Sequence, residues 1–391
     1  MTRFIPGVLA TTLTTTLAAA ALVAGASSAV AAPATIRIAN LVELSGAGAT
    51  SGTNFRNGVE LAVKEINAAG GILGKKIETN SSDTQSNPGV AKGLAQKAVD
   101  DDVFAVFGPV FSGSILVSMA ETRRAEIPNF TGGEAAAITK QGNPYIFRTS
   151  FTQDTAMPKV ARYIAQGLKA KTLALIYVNN DYGKGGRESL TKALEPLGVK
   201  VVADVSTDQN QIDFSAAVLR AKQSNADAVF VYTNEEESAR ALRELRKQGV
   251  TQPIVGETTL VGQKVIELAG EAANGAVAHV GLTVDAPNPL MLKFKAKYYQ
   301  EYKTLTDHNG IKGYTGVYIL KAAIEKVGKL DRKAVAQALH GLKVSAAQHP
   351  GVILDVSVDA NGDLDRESFL VEARNGKQEI KAVLPALQAG K

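Results

Sequence analysis

Short apolar runs alternate with amphipathic segments along most of the chain. β-branched runs such as TIRIANLV (35–42) and TLALIYV (172–178) are typical of buried strands. The segment NFRNGVELAVKEINAAGG (54–71) carries apolar residues three and four positions apart, from Phe55 to Ile66, and ends in Gly-Gly. This alternation predicts parallel sheets that are covered by helices on both faces.

The alternation runs through two series, which predicts two lobes. One series ends with an apolar strand at 127–131, and the next opens near residue 145. Three successive helical patterns between residues 288 and 340 then break the alternation, and Asn-Gly turns at 361–362 and 375–376 join the final strands. Helices that cannot extend the second series are expected to return to the first lobe.

The predicted fold class is therefore α/β, with two doubly wound α/β lobes. We expect the first lobe to comprise residues 32–149 and about 281–355, and the second lobe residues 150–280 and about 356–391. A chain that crosses between two lobes more than once forms a hinge.

The first 31 residues have the pattern of a cleavable secretory signal peptide. Arg3 precedes a long run of small and apolar residues, and Ala29-Val30-Ala31 fits the cleavage motif. The alternative is a retained membrane anchor, but the run is rich in Ala and Thr and poor in Leu and Phe. No later segment is apolar for long enough to span a bilayer. We therefore expect an exported, soluble product.

The amino-acid composition excludes several kinds of site and partner. The chain has no Cys, which excludes disulfides, thiolate metal sites and a thiol nucleophile. Its 43 basic and 38 acidic residues give a net charge of +5 and are interspersed, without a basic stripe that contains aromatic residues. We therefore predict no nucleic-acid partner.

The motifs of common enzymes are incomplete. The loop SGAGATSG has Ser51 in place of the third glycine of a dinucleotide-binding fingerprint, and no phosphate-binding P-loop occurs. A nucleophile elbow around Ser112 would need glycines where Val110 and Ser114 stand. The four His residues are scattered, and SVDANGDLDRES lacks the first and last ligands of a calcium loop, having Ser357 and Ser368 there. We predict no enzyme activity, no cofactor and no metal.

One junction has the chemistry of an anion site. GPVFSGS (108–114) lies between an apolar strand and a helix, so backbone N–H groups and the hydroxyls of Ser112 and Ser114 come together at a helix N-terminus. Such a group of donors suits a carboxylate or a phosphate. The alternative is that Ser112 only caps its own helix.

From about Ile36 to its end, the chain resembles the type I periplasmic binding proteins of the leucine/isoleucine/valine-binding family, which deliver solutes to ABC importers. The resemblance depends on several segments in a fixed order: GVELAVKEINAAGGILGKKIE, FGPV-x-S, IYVNNDYGKG, ADAVFVYTN…LRELRKQG and IVGETTLVG…IELAG. It implies two lobes that are joined by a three-crossing hinge, with the solute in the cleft between them.

The resemblance also implies a set of binding residues. In the first lobe, Ser112 and the amides of Gly113 and Ser114 would hold the carboxylate of the ligand. The family's second hydroxyl contact falls near Glu134 or Ala135, so Thr131 or the amides of Gly132 and Gly133 would substitute for it. The second lobe would close over the ligand with Tyr182 and Asn234. Phe111 and Phe151 could face an aromatic ring.

One departure from the family bears on the ligand. Amino-acid binders of this family hold the α-ammonium with a Glu, and Thr258 stands at that position here, beside Glu257. A buried ammonium without a carboxylate partner is strongly disfavoured. We therefore expect a small carboxylic acid that lacks an amino group, such as a benzoate-, phenylpropanoid- or arylketo-type acid.

The predicted function is a monomeric periplasmic receptor that closes around a small carboxylate ligand and presents it to an ABC permease in the inner membrane. Three alternatives remain open. The ligand could be an amino acid that is held by Glu257, the partner could be a signalling protein instead of a permease, or the chain could be an exported enzyme with an unfamiliar site.

Overall fold

The computed structural model describes residues 35–386, so the predicted signal peptide (1–31) lies outside the described residues. The first lobe has a sheet of five parallel strands in the order β2-β1-β3-β4-β5. The long apolar runs form its central strands, which are buried on both faces. The strands are β1 (Ile36–Val42), β2 (Ile77–Asp83), β3 (Ala105–Phe107), β4 (Asn129–Thr131) and β5 (Ile146–Arg148), and the intervening helices are α1 (Ala49–Ala68), α2 (Pro88–Asp100) and α3 (Ser112–Arg124).

The second lobe repeats this plan. Its five parallel strands are β6 (Thr172–Val178), β7 (Lys200–Thr207), β8 (Ala228–Tyr232), β9 (Ile254–Glu257) and β10 (Val277–Val280). The helices are α4 (Gln153–Arg162), α5 (Asp181–Leu194), α6 (Ser215–Gln223), α7 (Glu235–Lys247) and α8 (Gln263–Ala269). The carboxyl ends of the strands in both lobes, and the helix N-termini that follow them, face the space between the lobes.

The last part of the chain returns to the first lobe before it completes the second. Helices α9 (Pro289–Tyr302), α10 (His308–Val327) and α11 (Arg332–Leu339) precede a small antiparallel sheet of β11 (Lys343–Val344), β12 (Val356–Val358) and β13 (Leu364–Asp365). Finally, β14 (Ser368–Arg374) and β15 (Lys377–Leu384) extend the second sheet in the order β15-β14-β10-β9-β8-β6-β7. Strand β14 is antiparallel to β10, and β15 is antiparallel to β14.

The chain thus crosses between the lobes three times, near residues 149–152, 281–284 and 366–367, and the predicted fold class is confirmed. Residues 356–365, which were expected in the second lobe, instead form β12 and β13 of the small sheet, in which β12 pairs with β11 and β13 pairs with β12. Their turn is fixed to the first lobe because Arg148 donates a hydrogen bond from Nε to Asp363 Oδ1 at 2.7 Å. Within residues 35–386, no helix has an apolar stretch of the length needed to cross a membrane.

Helices α1 and α10 cross so closely that glycines are required at the contact. A β-carbon at Gly58 would lie 2.0 Å from the carbonyl oxygen of Gly310, and one at Gly313 would lie 2.1 Å from that of Phe55. This contact seats α10 against the first lobe, and the N-terminus of α10 in turn lies at the cleft.

We expect Gly58→Ala to lower the free energy of unfolding by about 1–3 kcal/mol, because the new methyl group overpacks a backbone contact. Urea unfolding measures the effect. The matched control is Gly93→Ala on the exposed face of α2, where nothing lies within 4 Å of the new β-carbon. That change should raise stability by about 0.5–1 kcal/mol through helix propensity. Equal behaviour of the two variants would contradict the close crossing.

Candidate functional site

A cavity of about 170 Å³ lies between the carboxyl ends of the two sheets. This is the place where open α/β sheets bind ligands, since strand ends and helix N-termini converge there. Five helices, α2, α3, α5, α7 and α10, begin at its wall. Nine of the predicted binding residues line this cleft: Phe111, Ser112, Gly113, Ser114, Gly132, Gly133, Glu134, Tyr182 and Asn234.

The loop that enters α3 is held from beneath by Glu43. This buried carboxyl group accepts hydrogen bonds from the amides of Val110, at 3.0 Å, and Phe111, at 3.1 Å. Burial raises the pKa of Glu43 to about 7, against the opposing effect of these hydrogen bonds. Glu43 follows β1 directly, so the strand end positions the neighbouring loop.

The N-terminus of α3 presents unused donors to the cleft. No side chain caps this helix, so the predicted alternative, that Ser112 caps it, does not match the geometry. Ser112 Oγ instead accepts a hydrogen bond from the amide of Ala135 at 3.2 Å, which leaves its proton free to donate. Ser114 Oγ is buried and has no hydrogen-bond partner among the described residues.

The other four helix N-termini at the cleft are capped by side chains of their own segments. Asn87 accepts hydrogen bonds from the amides of Gly89 and Val90 at the start of α2. Asn180 accepts a hydrogen bond from the amide of Gly183 at the start of α5, and Asp307 accepts from Asn309 and Gly310 at the start of α10. Asn234 forms a capping box with Glu237 at the start of α7. The side chain of Asn234 is therefore engaged within its own helix, although it lines the cleft.

Tyr182 forms the aromatic wall in the second lobe. Its ring stacks on Tyr232 at a centroid distance of 4.1 Å, and its hydroxyl lies 3.2 Å from Thr259 Oγ1. Across the cleft, Ser51 Oγ donates to Glu235 Oε1 at 2.5 Å and joins the two lobes directly. The lobes are thus in contact around the cavity.

Three predicted residues lie away from this cleft. Thr131 Oγ1 donates to the carbonyl oxygen of Pro109 at 3.0 Å. Phe151 and Thr258 line a second, smaller cavity behind the cleft, and Thr258 donates to Glu257 Oε1 at 2.8 Å. The adjacent residue Thr259, which the sequence analysis did not name, lines the main cleft instead.

A buried ion pair forms the wall between the two cavities. Lys312 Nζ, on α10, lies 2.9 Å from Glu134 Oε1, and both side chains are buried. The carboxyl group of Glu257 lies close enough to act on that of Glu134. Burial raises the pKa of both carboxyl groups, and for Glu134 the neighbouring Glu257 adds to the rise while Lys312 opposes it.

The histidines beside this wall are neutral. His279 Nδ1 lies 2.9 Å from Glu257 Oε1, and burial, with Lys159, lowers the pKa of His279 to about 3. Burial and Lys312 also lower the pKa of His308. At the inner end of the cleft, Lys312 is thus the cation that faces the carboxyl groups of Glu134 and Glu257. Among the described residues, no group of three or more His, Cys, Asp or Glu side chains could hold a metal ion.

The sequence analysis missed several cleft residues, namely Lys312, His308, Asn309, Glu235 and Ser51. Asp307 is a recognisable helix cap and could have indicated that a helix N-terminus begins at His308. No feature of the sequence around Lys312 indicates that its side chain contacts Glu134, which lies 178 residues away in the chain.

Comparisons with known proteins agree with this arrangement. The family model described as periplasmic binding protein matches residues 35–378. The Leu/Ile/Val-binding protein BraC3 of Rhizobium johnstonii is 30% identical over 352 residues, which cover 90% of this chain and 94% of that protein. The substrate-binding protein LivJ of Streptococcus pneumoniae, solved in complex with isoleucine, is 27% identical with a TM-score of 0.81, covering 90% of this chain and 100% of that structure.

A solute-binding protein from R. palustris, solved in complex with benzoate, is also similar. It is 20% identical with a TM-score of 0.83, and the match covers 90% of this chain and 98% of that structure. At this identity the likeness concerns the fold alone.

Proposed function

The chain belongs to the periplasmic binding proteins of the branched-chain amino acid transporter type, and from this premise we propose that it is a periplasmic receptor that delivers a small carboxylate to an ABC permease. Its relatives are binding proteins of transporters, which supports a role without catalysis. Closure of the lobes would trap the ligand, because residues of both lobes contact it together only in the closed form.

The uncapped N-terminus of α3 is the observation that supports a carboxylate ligand. Of the five helices that begin at the cleft, α2, α5, α7 and α10 are capped by their own side chains, whereas α3 is not. Free amide groups, the helix dipole and the hydroxyls of Ser112 and Ser114 combine there. These donors match the acceptors of a carboxylate.

We further propose that the ligand lacks an amino group and is an aromatic or keto acid. Each acidic side chain at the inner end already has one oxygen engaged: Glu134 Oε1 with Lys312, and Glu257 Oε1 with His279 and Thr258. An added ammonium would compete with Lys312 for the same carboxyl group. Phe111 and Tyr182 on opposite sides of the cavity suit a flat apolar body.

The second candidate is a branched-chain amino acid. The relative at 30% identity is named for leucine, isoleucine and valine, and Glu134 lines the cleft. An ammonium near Glu134 would favour the charged form of this carboxyl group, whose pKa burial raises to about 7. Binding of an amino acid near pH 7 would therefore release protons, and binding of the first candidate would not.

Two matched ligands separate the candidates. Leucine and 4-methyl-2-oxopentanoate share a carboxylate and a side chain and differ in the ammonium and keto groups. Calorimetric titration of the purified protein should show binding of the keto acid or of benzoate and none of leucine. Binding of leucine alone would overturn the proposed ligand class and leave the carboxylate site in place.

The Ser114→Ala variant tests the carboxylate site itself. We expect it to weaken binding of the carboxylate ligand by about 5- to 150-fold, the effect of one lost hydrogen bond to a charge. Its stability without ligand should not change, because the hydroxyl has no protein partner. Ser118→Ala is the control, since Ser118 is buried on the same helix and its hydroxyl bonds the Ile115 carbonyl. Unchanged affinity in Ser114→Ala would exclude the site.

A further inference from the structure

The smaller cavity lies where the three crossings between the lobes meet. Ser150 and Phe151 come from the first crossing, Gly281 and Leu282 from the second, and Arg366 from the third. We call this space the hinge cavity. It shares Glu134, His308 and Lys312 with the wall of the ligand cleft, and it has room for about one water molecule.

The guanidinium of Arg366 is buried in this cavity, and no carboxylate of residues 35–386 forms a salt bridge with it. The residue is 4% exposed. Among the described residues, nothing accepts a hydrogen bond from its Nε or Nη1 atom. Burial lowers the pKa of Arg366 to about 10. The centre of the Phe151 ring lies 5.7 Å from the guanidinium carbon, so a cation–π contact is available to Arg366.

The carboxyl groups nearby are committed to other cations. Glu134, which lines the same cavity, pairs with Lys312 at 2.9 Å. The charge of Asp365 acts on Lys159, whose Nζ donates to Ser368 Oγ at 2.7 Å. Three buried cations, Lys159, Lys312 and Arg366, thus surround the hinge. Lys312 is paired with Glu134, and Lys159 is within range of the charge of Asp365.

An uncompensated charge in a protein interior is strongly unfavourable, and unused guanidinium donors add to this. We propose that the hinge cavity binds one small inorganic anion, of the size of chloride, against the guanidinium of Arg366. The anion would accept hydrogen bonds from Nε and Nη1 and balance the excess positive charge. Because the cavity is built from all three crossings, the bound anion would tie them together and stiffen the hinge.

The size of the cavity favours a free inorganic anion over an acidic group of the cargo. A ligand in the main cleft would have to pass the Glu134–Lys312 pair to reach Arg366. The anion site in the hinge cavity is therefore independent of the proposed ligand, and it can be tested without that ligand.

Thermal unfolding in different sodium salts at constant ionic strength tests the proposal. We expect the midpoint of the wild-type protein to rise by a few degrees, and to saturate, as chloride or bromide replaces gluconate. The variant Arg366→Met should lose this response. Arg246→Met is the control: Arg246 is partly buried in the second lobe and donates to backbone carbonyls such as that of Asn274. It should keep the halide response.

A crystal of the wild-type protein grown in bromide gives a second test that does not depend on a variant. An anomalous peak beside the Arg366 guanidinium is expected. Equal midpoints in halide and gluconate without such a peak would overturn the proposal, as would a halide response that survives in Arg366→Met. Stabilisation by dicarboxylates instead of halides would indicate that Arg366 binds an acidic group of the transported ligand, and this result would also overturn the proposal.

Discussion

Replacing Lys312 by methionine should lower the free energy of unfolding by about 3–5 kcal/mol, the loss typical of a broken buried ion pair. Methionine keeps the length and apolar stem of the side chain but leaves Glu134 without its cation. Burial and the adjacent Glu257 already disfavour the charged form of Glu134. Urea unfolding near neutral pH measures the change.

Two variants show whether the loss comes from the buried pair. Lys321→Met, on the same helix, breaks a partly exposed pair with Glu325 and should cost less than about 0.5 kcal/mol. The double variant Lys312→Met/Glu134→Gln should recover part of the loss, since it removes the unpaired carboxylate. Similar losses in Lys312→Met and Lys321→Met would contradict a structural role for the pair.

The parts of the fold that follow local patterns could be predicted from the sequence. The apolar runs 35–42 and 172–178 correspond to β1 and β6 within a residue, since a buried parallel strand is a continuous apolar run. The lobe to which residues 356–365 belong could not be predicted, because it depends on the pairing of β12 with β11 and on the contact between Arg148 and Asp363.

In the candidate site, too, the residues that follow local sequence patterns could be predicted, and those that depend on tertiary contacts could not. The segment GPVFSGS interrupts the strand and helix patterns, which is a local signal, and it predicted a loop. That loop does present Ser112 and Ser114 to the cleft. Thr258 and Thr259 could not be separated, since a 3₁₀ turn begins directly after β9 and turns Thr259 toward the cleft. Lys312 reaches Glu134 only because α10 returns to the first lobe, a tertiary event without a local signal.

The stability of the wild-type protein should fall relative to that of Glu43→Gln as the pH rises from about 4.5 to about 7. Burial raises the pKa of Glu43 from 4.5 to about 7 in the folded protein. In this pH interval the folded state therefore holds a proton that the unfolded state has lost. This contribution is complete below pH 4.5 and is lost as the pH passes 7.

The expected loss is on the order of 3 kcal/mol, which follows from the raised pKa at about 1.4 kcal/mol per unit. Urea unfolding of both proteins at pH 5 and pH 8 isolates it, because the other titrating groups are common to both. Asp83→Asn is a control of opposite sign. Burial acts to raise the pKa of Asp83, but hydrogen bonds from Ser45 and neighbouring amides outweigh burial and lower this pKa. Its contribution should disappear toward low pH. A constant difference between wild type and Glu43→Gln would mean that Glu43 is ionised throughout, and that a full negative charge underlies the loop that leads into α3.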